Sequence, residues 1–430
     1  MPAPLMPMRG EDAIWLQDSP DNLMVINALL FCDAFDLETF LRVWNANVMQ
    51  ARNVQGEPQY DRFTKRVILK NQRFYWQEDE QFAIQRHIFS VEDRVFEDDA
   101  SLQQFVGEEA GTPLSYEHPL WQIRLLQGWD DQTILFVRIH HCMGDGVALI
   151  PILFSLLDEM HGEQEREKVN KPLLPPLVRY VMAPIAALPV LISRLLWIPD
   201  RSMLRGARMT GRKRVAWSPE LSLEEVKQLK NALQGTVNDV LMGCVAGAFH
   251  RYLARQSPQV PTKVRTSMPV NLRTIGEEIR MQNDFTIAFL TLPLHPTDPK
   301  GRMMAVKSSL DGMKKSLQPF IMFRAAAIVT NLLPMPLARF VLNLFANKTT
   351  AITTNVPGPQ YPLHLAGRSI RAMLFWVPTR ANVGIGISVL SLSGYVRLGV
   401  LGDESVLPDP EQFVADFVAE FETLKSLHGL

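Results

Sequence analysis

The chain has 430 residues, 47% of them apolar and 21% charged, with 44 basic residues against 45 acidic ones. That length supports two or three domains with substantial cores, and the balanced charge offers no field for holding bulk nucleic acid. Thirty prolines and 24 glycines are ordinary for a globular chain, and three scattered cysteines (Cys32, Cys142, Cys244) make neither a disulfide framework nor a Cys-rich metal site; they point to a reducing compartment.

Met1 to Arg9 is apolar but carries Pro2, Pro4 and Pro7, with no basic residue ahead of a hydrophobic run, so no secretory signal is expected. Met24 to Phe31 predicts a strand and Leu37 to Met49 a helix. Trp121 to Leu126 and Thr133 to Ile139 are short β-rich runs and predict strands. Val147 to Met160 predicts a helix that could hold Pro151 only in its first turns. This mixed portion, residues 1–165, is the first predicted domain.

From Lys171 to Arg214 there are six prolines and nine basic residues against one acid, Asp200. Residues 166–214 are therefore read as a basic, apolar, Pro-rich connector. It is long for a plain loop. Its composition fits a segment lying on an anionic membrane surface, or equally a crossover packed on its own domains. Tyr180 to Ser193 and Ala325 to Ala338 are uncharged but interrupted by prolines, and neither reaches the roughly 20 residues that span a bilayer.

Residues 215–430 repeat the mixed character as a second domain. Ser222 with Glu225 predicts a capped helix to Leu233, and Thr236 opens another to about Ala254. Lys263 to Leu272 and Phe285 to Leu294 predict strands, and Arg302 to Leu317 a helix. Thr350 to Val356, Ser369 to Val377, Val383 to Leu392 and Tyr395 to Leu401 predict further strands. A last helix starts at Asp409 with Pro410 in its first position and Gln412 completing the cap; its apolar stripe is Phe413, Phe417, Phe421 and Leu424.

The sharpest motif is His140-His141-Cys142-Met143-Gly144-Asp145-Gly146, between a predicted strand and a predicted helix. Neighbouring side chains of an extended chain point to opposite faces, so one histidine faces a cleft and the other faces packing. A histidine on a tight turn is well placed as a general base. A metal site at His140, His141 and Asp145 would need further ligands that no second cluster supplies. Cys142 has no recognisable orienting partner and reads as structural. No nucleophile elbow or dinucleotide fingerprint is present.

This H-H-x-x-x-D-G pattern resembles the signature of the CoA-dependent acyltransferase superfamily. Further motifs follow in order: Pro119-Leu120-Trp121, Asn238-Asp239, Met268-Pro269-Val270-Asn271-Leu272-Arg273 and Thr354-Asn355-Val356-Pro357-Gly358-Pro359. Together they resemble the wax ester synthase/diacylglycerol acyltransferase family over nearly the whole chain. Gln282-Asn283-Asp284 stands where that family would have Gly-Asn.

The resemblance implies an α/β (α+β) fold of two chloramphenicol-acetyltransferase-like domains, a pseudo-dimer with the active site in the channel between them. It implies His141 as the base, His140 as its supporting neighbour, and Asp145 and Gly146 as structural residues. Asp145 is expected to pair with Arg273, the alternative being a plain helix cap. Pro119, Leu120, Trp121, Asn238, Asp239 and Asn355 would support the substrate site, with packing as the alternative for Trp121 and helix capping for Asn238 and Asp239. The oxyanion donors are left open between the backbone N–H groups of Gly144 to Gly146 and the second half.

The implied substrates are long-chain acyl-CoA and a fatty alcohol or diacylglycerol, giving wax esters or triacylglycerol. No cofactor or metal is implied, acyl-CoA being a substrate. The implied place is the cytoplasm, peripheral to the inner face of a membrane or to lipid inclusions; the oligomeric state stays open. Two other readings share the fold: a condensation-type enzyme using carrier-bound donors, and a non-catalytic lipid-binding scaffold. An alcohol with a pKa of roughly 16 cannot be deprotonated in advance by an imidazole of about 6.5, so the base must take the proton as the oxygen attacks.

Overall fold

The computed structural model describes residues 3–158, 183–206, 208–271, 273 and 280–430. Its N-terminal part supplies α1 (Gly10–Ala13), β1 (Val25–Asp33), α2 (Leu37–Trp44), β2 (Ile88–Val95), α3 (Asp99–Ala110), β3 (Trp121–Gln127), β4 (Gln132–His140) and α4 (Gly146–Leu156). Next come α5 (Ala183–Leu195), β5 (Lys213–Trp217), α6 (Leu223–Ala232), α7 (Val237–Gln256), β6 (Lys263–Asn271) and β7 (Phe285–Pro293). The chain closes with α8 (Pro299–Lys315), α9 (Gln318–Leu332), α10 (Met335–Ala346), β8 (Ala351–Pro357), β9 (Leu363–Leu365), β10 (Arg368–Trp376), β11 (Ile385–Leu392), β12 (Tyr395–Asp403) and α11 (Pro410–Ser426).

Two main sheets result. One has six strands in the order β9-β10-β1-β4-β3-β2. The other has seven, in the order β7-β6-β8-β11-β12-β5, with the short strand Leu221–Ser222 also paired to β12. Strand β1 is buried over almost its whole length, as its mostly apolar run, broken only by Asn27 before Asp33, requires of a strand covered on both faces. The halves are interlocked. Strand β10 belongs to the C-terminal part of the chain but pairs antiparallel with β1, Trp376 facing Asn27. Residues 363–376 therefore complete the N-terminal sheet, and the chain then returns to the C-terminal sheet at β11.

Several predicted elements differ in detail. Helix α4 starts at Gly146 and ends at Leu156, with Pro151 in its second turn. Residues 159–182 and Leu272, over which a helix end, most of the connector's first half and a strand end were predicted, lie outside the described residues. Asp409 does not cap α11 with its side chain; its carboxylate accepts from Tyr252 Oη instead. The α11 stripe of Phe413, Phe417, Phe421 and Leu424 is fully buried in the C-terminal core. The acid among them, Glu420, is held by Arg302 and by Arg251.

The topology brings three segments to one seam. Strand β4 ends at His140, facing Val25 of β1. The turn to α4 follows, and residues 280–284 ahead of β7 lie against it.

Candidate active site

His141 occupies that seam and is buried. Its backbone N–H donates to the Met24 carbonyl at 2.7 Å. Its ring lies flat on Trp15, with centroids 3.8 Å apart and planes 13° from parallel, and Phe285 stands 5.5 Å away. Nδ1 is 3.0 Å from Asn283 Oδ1.

The tautomer follows from the partners of Asn283. Its side-chain NH2 donates to Asp12 Oδ1 and to the His141 carbonyl, both at 2.9 Å. An ionised carboxylate can only accept, so the amide nitrogen must face Asp12 and Oδ1 must face the ring. Nδ1 of His141 then carries the hydrogen, and Nε2 presents a lone pair. Asp12 is fixed in turn by Arg62 at 2.7 Å, and Arg62 also donates to the carbonyls of Cys142 and Met143, each at 3.1 Å. Arg62, Asp12 and Asn283 thus form a buried chain that orients the imidazole.

Burial pushes the His141 pKa down to about 4, partly offset by the nearby Asp145 carboxylate and the Asn283 hydrogen bond. The ring is neutral at pH 7 and ready to accept a proton. Two results follow. The acid limb of kcat/KM, read from a pH–rate profile, is expected near pH 4 and not near 6.5. Stability has the same sign: between about pH 6.5 and 4 the unfolded chain binds a proton that the folded chain does not. Folding therefore weakens as pH falls through that window, by up to about 3 kcal/mol at 1.36 kcal/mol per unit. Replacing Asn283 by Ala frees the ring to turn, and kcat is expected to fall on the order of 10²-fold with little change in KM, the size of effect that a misplaced catalytic group produces. Steady-state kinetics of Asn283→Ala checks this.

His140 lies on the same turn. It is fully buried, its Nδ1 accepts from the Cys142 N–H at 3.2 Å, and its Nε2 faces Asp18 Oδ2 at 3.2 Å. Asp18 also accepts from Met24 N–H at 2.6 Å and Tyr116 Oη at 2.8 Å, tying the turn to residues 15–24. Burial holds the Cys142 thiol far above its ordinary pKa, which disfavours the thiolate.

Asp145 does two things at once. It caps α4 by accepting from Ala148 N–H at 2.9 Å. It also takes both arms of Arg273, at 3.1 and 2.9 Å, and the Asp284 N–H at 2.8 Å. Arg273 reaches the Gln282 carbonyl at 2.8 Å as well. The pair locks the histidine turn to the segment that carries Asn283. Gly146 has a simpler setting than a turn-former: a Cβ there would meet nothing within 4 Å, so what the glycine leaves is open space at the α4 N-terminus.

The other motif residues make contacts within the protein. The Leu120 carbonyl accepts from His140 N–H and the Pro119 carbonyl from Trp121 N–H, each at 2.9 Å. Trp121 is buried, stacks on His87 at 4.6 Å and donates to the Phe63 carbonyl at 3.0 Å. Asp239 completes a capping box with Thr236 on α7. Asn238 Oδ1 accepts from Asn355 Nδ2 at 3.0 Å, which joins α7 to β8. Among the described residues no hydrogen bond or ring contact links Asn238, Asp239 or Asn355 to His141. The residues that do touch it or orient it, Trp15, Asn283, Asp12 and Arg62, were not singled out from the sequence. Only Asn283 had left a signal there, as the centre of the departing Gln-Asn-Asp triplet.

A cleft of about 950 Å³ starts at the residues around the imidazole. Its lining includes Trp15, Asn283 and Phe285, Met322, Phe323, Ala326 and Ala327 of α9, Leu342 and Phe345 of α10, and Ile287, Phe289 and Ile352 of the C-terminal sheet. The uncharged stretch at 325–338 therefore serves two surfaces: Ala326, Ala327 and Thr330 face the cleft, and Ile328, Leu332 and Leu337 face outward. Among the described residues no cluster of His, Cys, Asp and Glu could hold a metal.

Residues 8–187 match the model of the wax ester synthase/diacylglycerol acyltransferase catalytic domain, and residues 281–425 match the C-terminal domain model of that family. The chain belongs to the wax ester synthase/diacylglycerol acyltransferase family. A putative diacylglycerol O-acyltransferase of Mycobacterium tuberculosis is 23% identical over 94% of this chain and 86% of its own length. The solved wax ester synthase/diacylglycerol acyltransferase of Marinobacter aquaeolei superposes with a TM-score of 0.70 at 18% identity, over 99% of this chain and all of that one. The first condensation domain of the calcium-dependent antibiotic synthetase gives a TM-score of 0.62 at 14% identity, over all of this chain and 97% of that one. These likenesses show the α/β fold of two condensation-like halves, and membership of the family makes this chain an acyltransferase.

Proposed function

We propose that this acyltransferase moves a long-chain acyl group from acyl-CoA to the hydroxyl of a fatty alcohol or diacylglycerol, with His141 Nε2 as the general base. The observation that carries the reading is a neutral imidazole, its Nδ1 hydrogen committed to Asn283, beside the end of an apolar cleft. The acceptor hydroxyl gives its proton to Nε2 as its oxygen bonds to the thioester carbon. The tetrahedral oxyanion collapses, the C–S bond breaks, and the imidazolium returns the proton to the CoA thiolate. About ten chain carbons buried at ~0.8 kcal/mol each would contribute roughly 8 kcal/mol of binding, which suits the apolar wall formed by α9 and α10.

A lipid surface is the proposed place of work. Helix α9 packs against both α5 and α10, and outside them Ile185, Leu188, Leu196, Ile198 and Leu332 are each at least 68% exposed. Exposed apolar side chains on one set of neighbouring helices mark an interaction surface. No acidic residue occurs between Asp311 and Asp403, whereas Arg324, Arg339 and Lys348 do, so the charge suits an anionic bilayer. Among the described residues no helix is long and apolar enough to cross one.

The test is thiol release from palmitoyl-CoA with hexadecanol and with diacylglycerol as separate acceptors. Acceptor-dependent release supports the reading and ranks the acceptors. Its absence with both would reject the acyl-CoA donor in favour of carrier-bound donors or a binding protein.

A further inference from the structure

Beside the apolar cleft lies a second, polar pocket of about 520 Å³, lined by Gln17, Ser19, Asn22, Arg339, Asn343 and Arg380 among others. Arg380 borders both spaces. It leaves β10 on the return to the C-terminal sheet, while Arg339 projects from α10. Neither guanidinium has a carboxylate partner among the described residues. Arg380 Nε donates to Asn343 Oδ1 at 2.9 Å and its Nη2 to Gln17 Oε1 at 2.5 Å. Arg339 Nη2 donates to the Gln17 carbonyl at 3.2 Å. An arginine carries five N–H donors, and the bonds named use three of the ten that this pair holds.

Two half-buried cations gathered with neutral partners are an electrostatic cost that a bound anion would remove. Burial and the neighbouring Arg339 draw the Arg380 pKa down to about 10, which still leaves it charged at pH 7. Two acids border these spaces, Glu11 and Asp21; Glu11 lies 3.8 Å from Arg9, the Asp21 carbonyl accepts from Lys213 Nζ at 2.7 Å, and among the described residues neither acid forms an ion pair with Arg339 or Arg380. The site is close to the chemistry. Trp15 stacks on His141 and Gln17 holds both arginines, and two residues of extended chain span at most about 7 Å.

We propose that Arg339 and Arg380 form a phosphate-binding site for an amphiphile whose apolar part lies in the adjoining cleft. Guanidinium forks suit phosphate oxygens geometrically as well as electrostatically. The phosphate has two sources. One is the CoA part of the donor, which rests on the acyl-CoA reading above; the other is the headgroup of an anionic lipid at the surface formed by α5, α9 and α10. Binding is measured without turnover, so this proposal and that reading can fail separately.

The experiment uses the full chain, wild type and Arg339→Gln/Arg380→Gln, with each single variant and Arg380→Lys alongside. Calorimetry gives affinities for CoA and for phosphate-free pantetheine. Cosedimentation is measured with phosphatidylcholine vesicles, with and without phosphatidate. If CoA is the source, the double variant binds CoA about tenfold or more weakly and pantetheine unchanged, and Arg380→Lys recovers part of the loss. If a headgroup is the source, the phosphatidate-dependent part of vesicle binding is lost and CoA binding stays. Unchanged affinity for both, or an equal loss for CoA and pantetheine with no phosphatidate effect, would overturn the site. Melting by circular dichroism controls for folding, and Arg339→Gln, on a partly exposed helix position, serves if the double variant does not fold.

Discussion

His141→Ala is expected to lower acceptor-dependent thiol release from acyl-CoA by about 10² to 10⁴-fold, the range general-base catalysis supplies. The geometry makes this the largest single loss. Nε2 is the one nitrogen of the ring left without a committed hydrogen, because Asn283 holds Nδ1–H and Asp12 holds Asn283. The variant also removes the face-to-face contact with Trp15, so stability must be measured beside activity. His141→Gln keeps more of the ring's volume and is expected to lose activity to a similar extent while melting closer to wild type. If either variant retains more than about a tenth of wild-type kcat, a base other than His141 is at work. The acid-limb measurement is independent of both variants, since it reads the base in the wild-type protein.

The buried pair Asp145–Arg273 is expected to have the second large effect, on stability. Both side chains are nearly inaccessible, at 5% and 1% exposure, and they meet through two parallel hydrogen bonds. Asp145→Ala leaves the guanidinium with the Asp284 carboxylate at 3.8 Å as its remaining counter-charge, unpairs the Asp284 N–H and removes the cap of α4. Breaking such a pair costs about 3–5 kcal/mol because a buried charge loses its hydrogen-bonded partner. Arg273→Met is expected to cost a similar amount by leaving the carboxylate. The double variant Asp145→Ala/Arg273→Met leaves neither charge, and its loss is expected to be smaller than the sum of the two single losses by about 0.5–3 kcal/mol. Urea denaturation of the four proteins measures the cycle. Additive losses would show that the two side chains are not coupled.

Much of the architecture can be read from local pattern. The runs at Val25–Asp33, Trp121–Gln127 and Gln132–His140 are continuous and β-rich, and they form strands. The α11 stripe repeats at helical spacing and is buried. Less visible were Ile88–Val95, whose second half is charged and exposed, and α3, whose apolar residues are diluted by polar ones. In both cases neighbours in space override a weak local preference. Helices α9 and α10 overlap the stretch 325–338, which reads simply as uncharged and apolar. Only packing separates the face that lines the cleft from the face that meets solvent.

The sequence by itself singled out the proposed base and its immediate turn. A histidine pair, a glycine and a helix-capping aspartate within seven residues encode their geometry through bonds between near neighbours, and that information is local. The tertiary structure alone decided what surrounds and orients the His141 ring. Trp15 and Asn283 come from 126 residues before it and 142 residues after it, and Asp12 and Arg62 complete the chain that sets its tautomer. Arg339 and Arg380 share a pocket only because β10 crosses to the N-terminal sheet and returns. Contacts of that reach depend on how two sheets interlock, and no short-range periodicity records them.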